Sequence, residues 1–335
     1  MRVEATTMPL VGIEAIRAAA AALEGIATRT PLVPFGPAAE HRFLKAESLQ
    51  PVGAFKIRGA YVAVASLSAA ERARGVITYS SGNHAQGVAR AARLLGARAV
   101  VVMPSDAPEI KRERVAADGA QIIVVGTASD ERQAVAEQLA AERGLAIIPP
   151  YDDDRIIAGQ GTVGLEIVDA LPGVAAVLVP VGGGGLASGV AVAVRALAPS
   201  ARVIGVEPEL AADARDSLAA GRIVRWPADD VSRTIADGTR TQALGGRTFA
   251  HLAVLLDSIV TVSEAEIAAG VRLAAEESRL VVEPSGALTV AALAFRSAEV
   301  GLIGLDGPVV AVVSGGNVDP DRYREFLQAP LPPRG

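Results

Sequence analysis

The stretch PVGGGGLASG at residues 180–189 decides the fold class of this chain. It joins an aliphatic run at 175–182 to an apolar helical segment at 184–198 through four consecutive glycines. Adjacent glycines cost backbone entropy and offer no side chains to pack. A strand, a glycine run and a helix N-terminus in this order favour a nest of N–H groups that binds phosphate. The alternative is a flexible turn where two backbones pass closely.

Outward from this stretch, short aliphatic runs alternate with Ala-rich amphipathic segments. Strands are predicted at 75–79, 97–104, 121–126, 146–150, 175–182, 201–208, 258–264 and 308–316. Candidate helices between them include 83–96, 129–144 and 184–198. This alternation indicates βαβ units and parallel sheets. The sequence therefore predicts an α/β fold with eight or nine strands in one sheet or two, and a mostly irregular stretch at 209–246.

Composition excludes several functional classes. The 335 residues carry a net charge of −5 without a dense Lys/Arg block, so we expect no binding to nucleic acid. The chain has no cysteine, which excludes disulfides, thiolate metal sites and a cysteine nucleophile. No apolar stretch reaches the ~18 residues of a membrane span, and the first residues do not resemble a signal peptide. We expect a cytoplasmic enzyme without a membrane partner.

A second turn, YSSGNHAQG at 79–87, also follows a predicted strand. Ser80, Ser81 and Asn83 are suitable N-cap residues, so helix capping is one interpretation. The other is that their hydroxyl and N–H groups bind a substrate carboxylate. His84 fits a structural role better than that of a base.

A third stretch, PVGAFKIRGAYVAV at 51–64, places Lys56 at the start of an apolar helix. A single lysine is usually a solvated surface group, but Phe55 and Ile57 flank this one, and burial would lower its pKa and make it a nucleophile. A fourth turn, VVSGGNVD at 312–319, again ends a strand. All four loops are predicted at the carboxyl ends of parallel strands, where open α/β sheets bind ligands.

Together these loops resemble the threonine dehydratase and serine racemase family of fold-type-II pyridoxal-phosphate enzymes. The resemblance covers nearly the whole chain, because GAFKIRGA, SSGNHAQG, IAGQGTVGLEI, VGGGGLASG, GVEP, ADG, EPSGA and SGGNVD occur in the family's order. It implies two parallel-sheet domains of the tryptophan synthase β-like architecture. The large cofactor-binding domain would comprise 1–68 and 151–335, and the small domain with the substrate loop would comprise 69–150.

The resemblance also implies the roles of individual residues. Lys56 would bind pyridoxal 5′-phosphate covalently and then move the substrate's α-proton, while Ser81 would be a second acid or base. The other cofactor contacts implied are Phe55, Asn83, Gly182, Gly183, Gly184, Gly185, Leu186 and Ser314. The substrate carboxylate would be bound by Ser80, Ser81, Gly82, Asn83 and His84. Asn83 would contact the cofactor's 3′-hydroxyl, and Ser314 would face its pyridine nitrogen.

The stretch GVEPELAAD resembles the metal site of the family's cation-using branch. The resemblance places a divalent cation on Glu207, Ala211 and Asp213, and three oxygen donors suit Mg²⁺, Mn²⁺ or Ca²⁺. A solvated acidic loop is the alternative. Two departures from the family's pattern are Ala54, where a serine is usual, and Ser81, where threonine dehydratases often have alanine.

Three functions are compatible with these residues. The first is a threonine or serine dehydratase, an ammonia-lyase that produces a 2-oxo acid in amino-acid degradation. The second is a serine racemase or a hydroxyaspartate dehydratase. The third is a non-catalytic amino-acid-binding protein, which the intact Lys56 and glycine run disfavour. The family resemblance also implies a homodimer or homotetramer.

Overall fold

The computed structural model describes residues 8–37, 40–80, 82–105, 107, 109–126 and 129–333. Within these residues the chain forms two mainly parallel sheets with helices packed on their faces. The predicted α/β class is confirmed. No helix in the described part of the chain is long and apolar enough to cross a membrane.

The described residues contain ten strands and fourteen α-helices. The strands are β1 (Leu32–Pro34), β2 (Arg42–Ala46), β3 (Val76–Tyr79), β4 (Ala99–Pro104), β5 (Gln121–Val125), β6 (Ala146–Ile147), β7 (Ala176–Pro180), β8 (Arg202–Pro208), β9 (Ser258–Val262) and β10 (Val309–Val313). The helices are α1 (Ile13–Ala22), α2 (Lys56–Ala65), α3 (Ala69–Arg74), α4 (Asn83–Leu94), α5 (Glu109–Ala117), α6 (Ser129–Arg143), α7 (Asp154–Ala170), α8 (Gly185–Leu197), α9 (Asp213–Ala220), α10 (Ala228–Val231), α11 (Gly246–Leu255), α12 (Glu264–Ser278), α13 (Pro284–Phe295) and α14 (Pro320–Phe326).

The larger sheet has six strands in the order β1-β2-β10-β7-β8-β9. All of its pairs are parallel except β1 with β2 at one edge. One face packs against α12 and α13, and the other packs against α7 and α8. Because both faces are covered, strands such as β7 and β10 are buried along their whole length. This explains why they appear in the sequence as uninterrupted aliphatic runs.

The smaller sheet has four parallel strands in the order β5-β4-β3-β6. Helices α4 and α5 contribute to the apolar cluster on one face, and α6 contributes to the cluster on the other. Strands β3 and β4 form its centre, and their carboxyl ends lead to residues 80 and 105. The loop after β3 therefore lies at the carboxyl-terminal edge of its sheet, as the glycine run after β7 does in the larger sheet.

Helices α7 and α8 cross at two glycines. A Cβ atom on Gly189 would lie 2.3 Å from the carbonyl oxygen of Ile157, and one on Gly161 would lie 3.0 Å from the carbonyl oxygen of Gly189. The two backbones thus approach more closely than any larger residue allows. This contact fixes the position of α8, whose first residue is also the last glycine of the run after β7.

Two strands lie where the sequence predicted none. β1 and β2 form the edge of the larger sheet, and β2 contains Arg42 and Lys45, which interrupt the aliphatic pattern. The stretch 209–246 is irregular over most of its length but includes α9 and α10.

Candidate active site

A cavity of about 240 Å³ opens between the carboxyl ends of the two sheets. It is lined from the larger sheet's side by the glycine run and by Ser314, and from the smaller sheet's side by residues 80, 82, 83 and 84. Lys56 also lines it. The structure therefore brings three of the predicted loops and the predicted lysine to one cavity.

Lys56 is the first residue of α2, and its amine enters the cavity. Nζ donates a hydrogen bond to the carbonyl oxygen of Pro150 at 2.8 Å and lies 5.1 Å from the centre of the Phe55 ring. Burial lowers the pKa of Lys56 to about 8. A larger fraction of the amine is therefore neutral near pH 7 than for an exposed lysine, and only the neutral amine attacks a carbonyl group.

The glycine run forms a backbone cradle in front of α8. A Cβ atom on Gly183 would lie 2.2 Å from the ring of Tyr151, and Gly184 has a positive φ of 91°. A side chain at either position would therefore collide or be strained. Because these positions carry no side chains, the backbone at the start of α8 lines the cavity directly, as binding of an anionic group requires.

The loop after β3 carries the predicted substrate contacts. Ser80, Gly82, Asn83 and His84 line the cavity, and Gly82 donates its N–H to Oγ of Ser80 at 3.3 Å. Ser81, the predicted second acid or base, lies outside the described residues. α4 begins at Asn83, so the N-terminus of this helix also faces the cavity. The geometry suits a carboxylate.

His84 is buried beneath this loop as a neutral side chain. Its Nε2 lies 3.1 Å from the carbonyl oxygen of Ile148, so this nitrogen carries the proton of the neutral ring. Burial, and then the charge of Lys56, lower the pKa of His84 to about 3. A ring held neutral in this way is a poor proton donor at neutral pH, which agrees with the structural role expected for it.

Ser314 lies at the end of β10 on the other side of the cavity. It is buried, and its Oγ lies 3.4 Å from the carbonyl oxygen of Ser285. Oγ of Ser285 in turn accepts the N–H of Gly238 at 2.8 Å. The side chain at 314 therefore brings an uncharged hydroxyl group to the cavity wall.

Lys111, Tyr151, Asp237 and Glu283 line the cavity but were not predicted as site residues. Lys111 forms an ion pair with Asp237. Glu283 accepts a hydrogen bond from Nδ2 of Asn83 at 2.6 Å, and burial followed by the charge of Asp237 raises the pKa of Glu283. Asp237 and Glu283 lie in the ADG and EPSGA motifs, so the sequence did carry a signal for them. Lys111, in the amphipathic α5, lies in none of these motifs, so nothing in the sequence indicated its role.

Glu207, Ala211 and Asp213 are all buried next to the end of β8. Glu207 accepts the N–H groups of Ala214 at 3.0 Å and Arg215 at 2.8 Å, whereas neither oxygen of Asp213 has a hydrogen-bond partner in the described part of the chain. Burial raises the pKa of Asp213 to about 7, and burial together with Asp213 raises the pKa of Glu207. Two adjacent buried carboxyl groups, one of which has no hydrogen-bond partner, are suited to a cation. The described residues nevertheless hold no group of three or more His, Cys, Asp or Glu side chains placed to bind a metal.

Comparison with known proteins agrees with this arrangement. A family model described as pyridoxal-phosphate dependent enzyme matches residues 23–315. The chain belongs to this family. It is 45% identical to an L-threo-3-hydroxyaspartate ammonia-lyase of Saccharomyces cerevisiae, over 85% of each chain. It is 42% identical to a serine racemase of Schizosaccharomyces pombe, over 85% of this chain and 86% of that one. Among solved structures, maize serine racemase has a TM-score of 0.88 and 36% identity, over 94% of this chain and 96% of that one.

The chain thus belongs to the group of pyridoxal-phosphate-dependent enzymes that includes threonine ammonia-lyases and serine racemases, the family that its sequence indicated. The cavity fits the cofactor in two respects. Lys56 provides an amine with a lowered pKa, and the cradle at Gly183 and Gly184 leaves N–H groups open to a phosphate. The comparisons support the family and its cofactor.

Proposed function

We propose that this chain removes water from a β-hydroxy amino acid and produces a 2-oxo acid and ammonia. The observation that carries the proposal is the shared cavity of Lys56, the glycine run and the loop after β3. Bound pyridoxal phosphate supplies the electron sink for loss of the α-proton. The remaining chemistry depends on what the protein's own groups hold and move.

Each group has a distinct task in this proposal. Lys56 binds the cofactor and then accepts the α-proton at Nζ. The loop after β3, with the N-terminus of α4 that follows it, holds the substrate carboxylate. Ser314 faces the cofactor's ring nitrogen with a hydroxyl group, which does not stabilise a positive charge there as a carboxylate would. With a hydroxyl group and no carboxylate at this position, the protein would favour rapid loss of the β-hydroxyl.

Asn83 is proposed to contact the 3′-hydroxyl of the cofactor. Its orientation is supported by two hydrogen bonds: Nδ2 donates to Glu283 at 2.6 Å, and Oδ1 accepts from Nδ2 of Asn317 at 2.9 Å. Phe55 is proposed as an apolar contact of the cofactor, because it lines the cavity beside Lys56. Leu186, in the first turn of α8, is proposed to add its N–H to the phosphate cradle.

A substrate panel tests the proposed reaction. L-threonine, L-serine and 3-hydroxyaspartate are compared for release of 2-oxo acid, with chiral chromatography for D-amino acid. Release of 2-oxo acid in excess of D-amino acid supports a lyase, whereas the reverse result assigns a racemase and makes Ser81 the first residue to substitute. Lys56→Ala is the control, since it removes both the covalent link and the proton-transfer group, the latter typically worth 10²–10⁴-fold. Turnover that survives in this variant would overturn the assignment of Lys56.

We also propose that Glu207, Ala211 and Asp213 hold a divalent cation such as Mg²⁺, Mn²⁺ or Ca²⁺. The unused oxygens of buried Asp213 support this site, because an isolated buried charge is costly unless it is paired. A bound cation would stabilise the folded protein by mass action. We expect the melting temperature to fall with chelator and recover with Mg²⁺ in the wild type and in exposed Asp306→Asn, but not in Glu207→Gln. A wild-type protein that responds to neither addition contradicts the metal site.

We further propose that the protein is cytoplasmic, forms a homodimer or homotetramer, and has the domain division predicted from the sequence. The separate four-stranded sheet between β3 and β6 supports a small domain at 69–150. Light scattering of the purified protein measures the oligomeric state, and a mass equal to one chain would contradict the oligomer.

A further inference from the structure

The segment that follows β6 carries the hydrogen-bond partner of Lys56. It runs from Ile148 through Pro149 to Pro150, and the carbonyl oxygen of Pro150 accepts a hydrogen bond from Nζ of Lys56 at 2.8 Å. We call residues 148–150 the proline arm. A proline ring holds φ at about −65°, so two consecutive prolines leave this backbone few ways to bend. A shift at Ile148 is therefore transmitted to the oxygen that Lys56 contacts.

Three hydrogen bonds hold the first residue of the proline arm. The N–H of Ile148 donates to the carbonyl oxygen of Ile77 at 2.9 Å. The carbonyl oxygen of Ile148 accepts from Oγ1 of Thr78 at 2.8 Å and lies 3.1 Å from Nε2 of His84, which donates the second bond. Ile148, Thr78 and His84 are all buried. The arm is thus attached to β3 and to the first turn of α4.

The residues that follow the proline arm contact the other side of the cavity. The ring of Tyr151 lies against Gly183 of the glycine run. The side chain of Asp152 accepts the N–H groups of Arg247 at 2.8 Å and Thr248 at 3.1 Å, both in α11. Contacts on both sides of Pro150 therefore determine where its carbonyl group lies, and Lys56 contacts an acceptor that is already in place.

The hydrogen bond to Pro150 restricts the amine of Lys56. A neutral amine has two N–H groups and one lone pair, and donation of one N–H limits the directions that the lone pair can take. When Lys56 accepts the α-proton, the bond between hydrogen and the α-carbon breaks, its electron pair stays on the substrate, and a new N–H bond forms at Nζ. The ammonium group that results donates to a carbonyl oxygen more strongly than the amine does.

We propose that the carbonyl oxygen of Pro150 orients the free amine of Lys56 for transfer of the α-proton, and that Thr78 and Pro149 are positioning residues for this carbonyl group. The proposal rests on the lyase function proposed above and extends it to two residues that do not line the cavity. Their influence on Lys56 is exerted through the proline arm.

Steady-state kinetics of the holoenzyme test the proposal with L-threonine, L-serine and 3-hydroxyaspartate, each also deuterated at the α-carbon. Thr78→Val removes the hydroxyl group, so kcat should fall about 2- to 12-fold, the contribution of one neutral hydrogen bond. Pro149→Ala frees φ of the arm and should lower kcat about 10-fold, less than the ~100-fold that a 1 Å misplacement can cost. KM should change little, because the carboxylate contacts remain. The deuterium isotope effect on kcat should rise in both variants, since proton transfer becomes slower relative to the other steps.

Three further variants are the controls. Thr78→Ser retains a hydroxyl group and should recover most of the lost kcat. Ser278→Ala removes a buried hydroxyl group that donates to the carbonyl oxygen of Pro34 at 2.8 Å, away from the cavity. Pro172→Ala removes a proline from an exposed turn. The last two should leave both kcat and the isotope effect unchanged.

Uptake of pyridoxal phosphate by the full-length apoprotein gives a readout that does not require turnover. Burial lowers the pKa of Lys56 to about 8, and the hydrogen bond to Pro150 opposes this shift because it favours the ammonium form. Displacement of the carbonyl group should therefore move the pH of half-maximal uptake below the wild-type value in Thr78→Val and Pro149→Ala. A change that only loosens the structure admits water, and the midpoint would then rise toward 10.5, the usual pKa of a lysine.

The variants leave the charged surroundings of Lys56 unchanged. His84, whose pKa the charge of Lys56 lowers, stays neutral. The other charged groups of the cavity wall are Lys111, Arg132, Arg225, Arg240, Asp237 and Glu283.

The outcomes separate the proline arm from the lyase function. An unchanged kcat and isotope effect in either Thr78→Val or Pro149→Ala, or a rise in the pH of half-maximal uptake, overturns the positioning role alone. No 2-oxo acid from the wild type with any of the three substrates overturns the lyase function, and the pH of half-maximal uptake then still decides whether Pro150 holds the amine.

Discussion

Arg58 is expected to be the most sensitive charged residue for stability outside the active site. It lies two residues after Lys56 in α2, and only 1% of its surface is exposed. Its guanidinium group donates to Glu47 at 2.7 and 2.8 Å and to Glu166 at 2.7 and 3.0 Å. It also donates to Oγ1 of Thr162 and to the carbonyl oxygen of Thr28, both at 3.1 Å. Every donor nitrogen of this side chain is therefore used.

Arg58→Met keeps a long apolar side chain but leaves the carboxylate of Glu47, which has no exposed surface, without its guanidinium partner. Removing one member of a buried ion pair typically costs about 3–5 kcal/mol. With an unfolding entropy of about 2.1 cal/mol/K per residue, a chain of 335 residues should melt about 4–7 °C lower. Thermal unfolding followed by circular dichroism measures this shift.

The loss of stability in Arg58→Met should depend on pH, because the carboxyl group of Glu47 titrates. Burial alone would raise the pKa of Glu47, but the charge and hydrogen bonds of Arg58 hold the pKa below its usual value. In the wild type, Glu47 therefore stabilises the fold above its unfolded pKa, and this contribution is lost as the pH falls through the folded pKa. Without Arg58 the burial effect remains and the folded pKa rises, so the variant loses stability as the pH increases. The difference in melting temperature should be larger at pH 8 than at pH 5.

A matched control removes an arginine from an exposed ion pair. Arg322 and Glu325 form such a pair, with 56% and 62% of their side chains exposed, so Arg322→Met should cost no more than about 1 kcal/mol. The double variant Arg58→Met/Glu47→Gln should recover part of the loss, because no unpaired carboxylate is left at position 47. If Arg58→Met is as mild as Arg322→Met, or if its effect is the same at pH 5 and pH 8, the electrostatic argument is refuted.

Three further predictions concern the cofactor site. Gly183→Ala should weaken cofactor binding, measured by absorbance titration, because its Cβ would collide with Tyr151, while Gly246→Ala, whose Cβ has nothing within 4 Å, should bind normally. The rate at which the apoprotein takes up pyridoxal phosphate should be half-maximal at about pH 8, the pKa of Lys56, and a midpoint above pH 10 would contradict its burial. Ser314→Asp should favour a protonated cofactor ring, so absorbance should appear at longer wavelength and elimination should slow; unchanged spectra and rates would show that residue 314 does not face the ring nitrogen.

The sequence predicted most of the fold because the strands of parallel sheets are locally recognisable. Each of the strands from β3 to β10 coincides with a predicted aliphatic run. The central strands β4, β7 and β10 are buried along their whole length, because helices cover both of their faces. β2 was missed because Arg42 and Lys45 interrupt its pattern. Lys45 is nevertheless buried in the strand, where it donates to Glu166, 121 residues away. A buried charge whose partner lies so far along the chain cannot be predicted from the residues next to it in the sequence.

The site residues also divide into those that local sequence patterns predict and those whose roles depend on partners distant in the sequence. The residues that the motifs predicted are mostly glycines and small polar residues whose chemistry depends on local backbone shape, as at Gly183 and Gly184. Lys111 was missed because its role depends on Asp237, 126 residues later in the chain. Nothing in the sequence of α5 indicates that Asp237 is its partner.

Such long-range pairs also join the two sheets across the cavity. Asn83 begins α4 on the smaller sheet, and its side chain donates to Glu283, which precedes α13 on the larger sheet. Lys111 in α5 and Asp237 form a second link between the two sides. Under the roles proposed for Asn83 and its loop, a movement of the smaller sheet that changes substrate contacts would also change the hydrogen bond between Asn83 and Glu283. We therefore expect substrate binding and the electrostatic environment of the cofactor to be coupled through these hydrogen bonds.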